Sequence, residues 1–80
     1  MFQNNDDVCK KIDDLFPDIE CGKDISVGFD SINNAFVVEL KHNNRSLKTF
    51  VEREDVNSCF DKGECFGLGL DIALLKDSVR

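Results

Sequence analysis

Long apolar runs are missing from this chain: none approaches the roughly 18 residues that a membrane span requires, and a transmembrane role is not expected. The opening "MFQNNDD" has neither the basic nor the apolar segment of a secretory signal, which leads us to expect a cytoplasmic protein. Tryptophan and tyrosine are also absent, so seven phenylalanines supply all the aromatic character. With 41% hydrophobic residues they suffice for one compact core and argue against disorder. Basic residues are in the minority, ten Lys and Arg against sixteen Asp and Glu, for a net charge of −6. That balance disfavours nucleic acid and anionic lipid as partners, because both are recognised mainly by basic surfaces.

Eighty residues make one domain, residues 1–80. A chain of this length buries only about 60% of its unfolded-state surface, so its stability is modest unless something staples or dimerises it. The acidity is concentrated. Residues 1–30 hold eight acids and three lysines, a net of −5, while residues 31–52 come to +1 and residues 53–80 to −2.

Metal-binding knuckles are absent too. Cys9, Cys21, Cys59 and Cys65 are separated by eleven, thirty-seven and five residues, and none of these gaps is the two-to-four spacing of a zinc knuckle. Three states are open: reduced thiols, two disulfides, or one four-cysteine metal site. Without a signal peptide the expectation is reduced thiols packed as small core residues, with no cofactor.

In "NNDDVCKKIDDLF", Val8, Ile12 and Leu15 fall at i, i+4 and i+7, with Cys9 and Phe16 widening the stripe. This predicts a helix capped by Asn5 or Asp6 and ended by Pro17, followed by a loop that tucks Ile19 under itself. Ile25, Val27 and Phe29 then alternate with polar or small residues, as do Phe36, Val38 and Leu40, and "SLKTFVER" is a third β-rich run. Asn33-Asn34 and Asn43-Asn44 separate these runs. Asparagine tolerates positive φ, so the pairs suit hairpin turns and predict a three-stranded antiparallel meander. Leu47 and Phe50 fall on opposite faces of a flat third strand, which predicts a bulge near Thr49 or a twist at a sheet edge.

Val56, Cys59 and Phe60 mark a short helix terminated by Gly63. The last segment, "GECFGLGLDIALL", fits two periods. Phe66, Leu68, Leu70, Ile72 and Leu74 alternate as a strand does, whereas Cys65, Leu68, Ile72, Leu75 and Val79 have helical spacing. About fourteen residues is long for a strand, and Ala73, Leu74, Leu75 and Lys76 favour helix, so a helix is predicted from Glu64. The expected fold is α+β in the order α-β-β-β-α-α, with the helices on one face of the sheet.

The glycines of "GLG" do not continue to the third glycine of a dinucleotide fingerprint, and no strand directly precedes them. They read as a small-residue groove of Gly63, Gly67, Gly69 and Ala73 that lets backbone approach backbone, within the fold or in a homodimer. His42, the only histidine, stands at a predicted turn, where an exposed histidine is the ordinary case; an enzyme built on it would need a pocket around it. Asp13, Asp14, Asp18 and Glu20 cluster near the end of the first helix, where the dipole disfavours negative charge.

These features point to a small, acidic, non-enzymatic protein that binds another protein, with Asp13, Asp14, Asp18 and Glu20 meeting a basic partner surface. Gly67, Gly69 and Ala73 are candidates for self-association. Two alternatives come from other classes. One is a cysteine-based redox or metal-binding protein using Cys9, Cys21, Cys59 and Cys65. The other is a ribbon-helix-helix regulator, against which the charge of the chain counts.

Overall fold

The computed structural model describes residues 4–79. Its elements run α1 (Asn5–Leu15), β1 (Ile25–Asp30), β2 (Ala35–His42), β3 (Arg45–Glu52), α2 (Arg53–Lys62) and α3 (Phe66–Val79), the expected α-β-β-β-α-α order. The strands form one antiparallel sheet in the order β1-β2-β3, and the helices cover one of its faces.

α1 begins one residue earlier than its caps suggested. Asn4 stands outside the helix with extended backbone, and its Oδ1 accepts the Asp7 N–H at 2.8 Å, one of the donors that a helix start leaves without an internal partner. Val8, Cys9 and Ile12 are buried, while Leu15 in the last turn remains 38% exposed. Phe16 closes the helix by donating its N–H to the Ile12 carbonyl before Pro17.

The hairpins follow from the asparagines. Asn43 and Asn44 both have positive φ, 49° and 66°, and link the paired residues His42 and Arg45 as a two-residue turn. Such a turn has the twist that antiparallel strands require. The first connection is longer. There Asn34 takes φ 51°, and the Asp30 carboxylate gathers the N–H groups of Ile32 (2.9 Å) and Asn33 (3.3 Å) and the Asn33 side chain (2.7 Å). These bonds, the Asn33 side chain first, hold Asp30 below the usual carboxylate range.

Along β2, Phe36, Val38 and Leu40 are buried against the helices. Phe36 meets Phe29, its partner on β1, edge to face at 5.1 Å, a geometry aromatic pairs favour. β3 corrects one expectation. Its register is unbroken from Ala35↔Glu52 to His42↔Arg45, with no bulge near Thr49. Val51 lies inside and Phe50, paired with Val37, is left 55% exposed on the uncovered face. The strand stays regular because the fold leaves Phe50 outside.

The helical side of the core combines Val56 and Cys59 of α2 with Leu68, Ile72 and Leu75 of α3, all buried. The Val79 side chain, expected in the same stripe, lies outside the described residues.

Candidate functional site

The reduced-thiol expectation is overturned. Cys9 is bonded to Cys21 and Cys59 to Cys65, with Cα–Cα separations of 5.5 and 4.2 Å, and no described cysteine is free. Nor do the four meet as one metal site: among the described residues no group of three or more Cys, His, Asp or Glu is placed to hold an ion. Local spacing did not reveal this, because the fold creates the proximity. The turn after α1 returns Cys21 to the side of the helix that carries Cys9, and the α2–α3 connection folds Cys65 back onto Cys59.

That second connection is built from the backbone upward. Gly63 takes φ 70°, the left-handed conformation that glycine adopts without steric cost, and donates its N–H to the Ser58 carbonyl to close α2. The chain then reverses. The Cys65 carbonyl accepts the Gly69 N–H at 2.8 Å, which makes Cys65 the residue before the first turn of α3. The helix therefore starts at Phe66, not at Glu64, because the cap at Gly63 and the Cys59–Cys65 bond fix the reversal that precedes it.

α3 resolves the strand-like alternation. Its large apolar residues form two interleaved helical series. Leu68, Ile72 and Leu75 point into the core. Phe66, Leu70 and Leu74, at i, i+4 and i+8, form a second stripe that is 87%, 62% and 57% exposed. A period of two across the nine residues from Phe66 to Leu74 is what a helix that is apolar on opposite sides produces. Gly63, Cys65, Phe66, Gly69 and Leu70 enclose an open groove of about 500 Å³ at the start of this stripe. Glu64 precedes the stripe and Asp77 stands on its far end. Burial of the Asp71 carboxyl, then the charges of Asp55 and Glu52, push it above the usual value.

The small residues do not act as one groove. Gly67 faces α2, where a Cβ would strike the Asp55 carboxylate, while a Cβ on Gly69 would meet nothing within 4 Å. Gly63 is the helix cap, and Ala73 is half-buried.

The N-terminal acids are dispersed into local contacts. The Asp13 carboxylate accepts the Cys21 N–H at 3.5 Å. Asp18 holds Lys76 of α3 at 2.7 Å, and Glu20 faces Lys23 at 3.8 Å. Asp14 is exposed. His42, at the exposed end of β2, borders a cavity of about 390 Å³ together with Asp18, Asp24, Lys41 and Lys76, over a floor of Ile19 and Leu40. Its Nε2 lies 3.2 Å from the Asn43 amide, and no described carboxylate hydrogen-bonds the ring to orient it as a base. β3, the strand of the ribbon-helix-helix alternative, is paired with β2 along its whole length.

Phe66, Leu70 and Leu74 were the residues missed by sequence reasoning. Their signal is the period-two pattern, which by itself fits a strand as well as a helix with two apolar faces. The chain matches no protein family, no curated protein and no solved structure.

Proposed function

We propose that this protein is a small docking module that binds a polypeptide along the outer face of α3. The observation that carries this reading is the stripe of Phe66, Leu70 and Leu74, three large apolar side chains more than half exposed on one helical face. A contiguous exposed apolar stripe flanked by charge is characteristic of an interaction surface. The occupant is an amphipathic segment with basic flanks. Glu64, Asp71 and Asp77 border the stripe, and the one lysine of α3, Lys76, is engaged by Asp18. Asp13, Asp14, Asp18 and Glu20 add to the negative field that steers such a partner, a contribution to association rate more than to affinity. No catalytic step is part of this reading.

The two disulfides favour an oxidising compartment over the cytoplasm expected from the first residues. No described helix is long and apolar enough to cross a membrane.

A designed basic amphipathic helical peptide, followed by fluorescence anisotropy at low and high salt, tests the proposal. Leu70→Glu/Leu74→Glu should abolish binding at both salts, whereas Asp13→Asn/Asp14→Asn/Asp18→Asn should slow association at low salt only. Equal binding by the parent and the Leu70→Glu/Leu74→Glu variant sinks the reading. Sedimentation that finds a dimer, lost in the same variant, would assign the stripe to a second copy of the chain instead.

A further inference from the structure

We propose that Cys59–Cys65 is an exchangeable pair that passes its disulfide to a dithiol polypeptide docked beside it, while Cys9–Cys21 is a structural crosslink. The inference rests on the docking reading above only for its choice of substrate, because both use the same groove. Three observations support it. The pair is asymmetric: Cys59 is 1% exposed, whereas Cys65 is only partly buried and lines the open groove with Gly63, Phe66, Gly69 and Leu70. An incoming thiolate therefore has access to one sulfur of the two. Next, Cys65 immediately precedes the 14-residue α3, whose first turn contains no acidic residue of its own, although the Asp55 carboxylate of α2 stands over Gly67 in that turn. The helix dipole favours a thiolate at Cys65, and the Asp55 charge reduces that benefit. Last, the exposed Phe66 and Leu70 flank the groove on the same helix and provide apolar contact for an extended substrate.

The first crosslink shares the unequal burial, since Cys21 is also partly buried, but Cys21 does not line the groove and the Asp13 carboxylate accepts its N–H. Cys9 lies in the middle of α1 at 5% exposure, and its bond ties the helix to the segment that leads into β1.

The exchange balances. A substrate thiolate attacks Cys65 Sγ, the Cys59–Cys65 bond breaks, and its electron pair leaves on Cys59 Sγ, which takes up a proton. The substrate's second thiolate then attacks its own sulfur in the mixed disulfide, and Cys65 leaves as a thiolate that takes up the second proton released by the substrate dithiol. The substrate dithiol loses two electrons and two protons, and the protein pair gains both.

The test begins with the unmodified protein. It is treated with dithiothreitol under native conditions, quenched with a thiol-alkylating reagent at intervals, and mapped by mass spectrometry. Cys59 and Cys65 should become alkylated about tenfold or more faster than Cys9 and Cys21. Equal rates, or alkylation only when the protein unfolds, overturn the proposal. The second arm uses a basic amphipathic peptide with one cysteine, activated as its thionitrobenzoate mixed disulfide. Cys59→Ser, which leaves Cys65 as the free thiol of the pair, should release thionitrobenzoate and accumulate the peptide adduct about tenfold or more faster than Cys65→Ser. Comparable rates in the two variants overturn the assignment of Cys65 as the exchanging sulfur. The docking reading is separated by Cys59→Ala/Cys65→Ala and a cysteine-free peptide. Loss of that binding with rapid native reduction intact sinks docking alone, and retained binding with slow reduction sinks exchange alone.

Discussion

Asp55 stands over Gly67: a Cβ built on Gly67 would lie 2.5 Å from Asp55 Cγ and 2.7 and 2.8 Å from its carboxylate oxygens. The glycine is therefore where α3 passes beneath the start of α2 and the Asp55 side chain occupies the space that a Cβ would take.

The two glycines of "GLG" should respond differently to the same change. In Gly67→Ala the end of the Asp55 side chain must rotate away, which offsets the gain of about 1 kcal/mol from replacing a helical glycine and should leave stability about unchanged. Gly69→Ala meets nothing and removes a helix-interior glycine, so it should stabilise by about 1 kcal/mol. Denaturant unfolding measures both. Adding Asp55→Ala should restore the full gain for Gly67→Ala; if it does not, the contact with Asp55 is not the cause.

Asp71 predicts a pH dependence. Burial, followed by the charges of Asp55 and Glu52, raises its folded pKa above the ordinary 3.8. The folded state thus holds this proton more tightly than the unfolded chain. Its contribution is fully present below 3.8 and is lost as pH rises through the folded value. Asp71→Asn should raise the melting temperature at neutral pH and lose that advantage well below 3.8. Thermal melts of parent and variant at both pH values decide it, and an equal gain at both would rule out the ionised carboxylate as the source.

The two disulfides should differ as stabilisers. Cys9 and Cys21 are 12 positions apart and Cys59 and Cys65 are 6. By loop-closure entropy, Cys9→Ala/Cys21→Ala should cost about 3 kcal/mol and Cys59→Ala/Cys65→Ala about 2 kcal/mol. The first loss corresponds to a fall in melting temperature of at least about 12 °C for a domain of this size. Calorimetry of both variants checks the order as well as the size.

Lys76 joins α3 to the loop after α1. Its Nζ lies 2.7 Å from Asp18 and 5.0 Å from the centre of the Phe16 ring, and its side chain is only 21% exposed. Lys76→Met retains most of the aliphatic contact and removes the charge, so the loss should be at most about 1 kcal/mol and should shrink as salt rises. A loss unaffected by salt would place the effect in packing instead.

Much of the architecture was legible in the order of residues because its determinants are local. The helical spacing of Val8 and Ile12, the alternation through Phe36, Val38 and Leu40, and the paired asparagines each act within one element or one turn. Gly63 was readable as a helix terminator for the same reason: the positive φ it adopts is a property of the residue. The candidate site was harder to read. Phe50 and the stripe of Phe66, Leu70 and Leu74 are apolar like the core residues beside them, and composition alone does not separate an exposed apolar face from a buried one.

By itself, then, the sequence determined the elements, their order and the hairpin turns, since propensity, capping and periodicity operate over a few bonds. Tertiary structure alone decided which cysteines meet, which face of α3 is left uncovered, and which glycine lies under a neighbouring side chain. Each of these depends on distances between segments that are remote along the chain, and those distances exist only once the sheet and helices have packed.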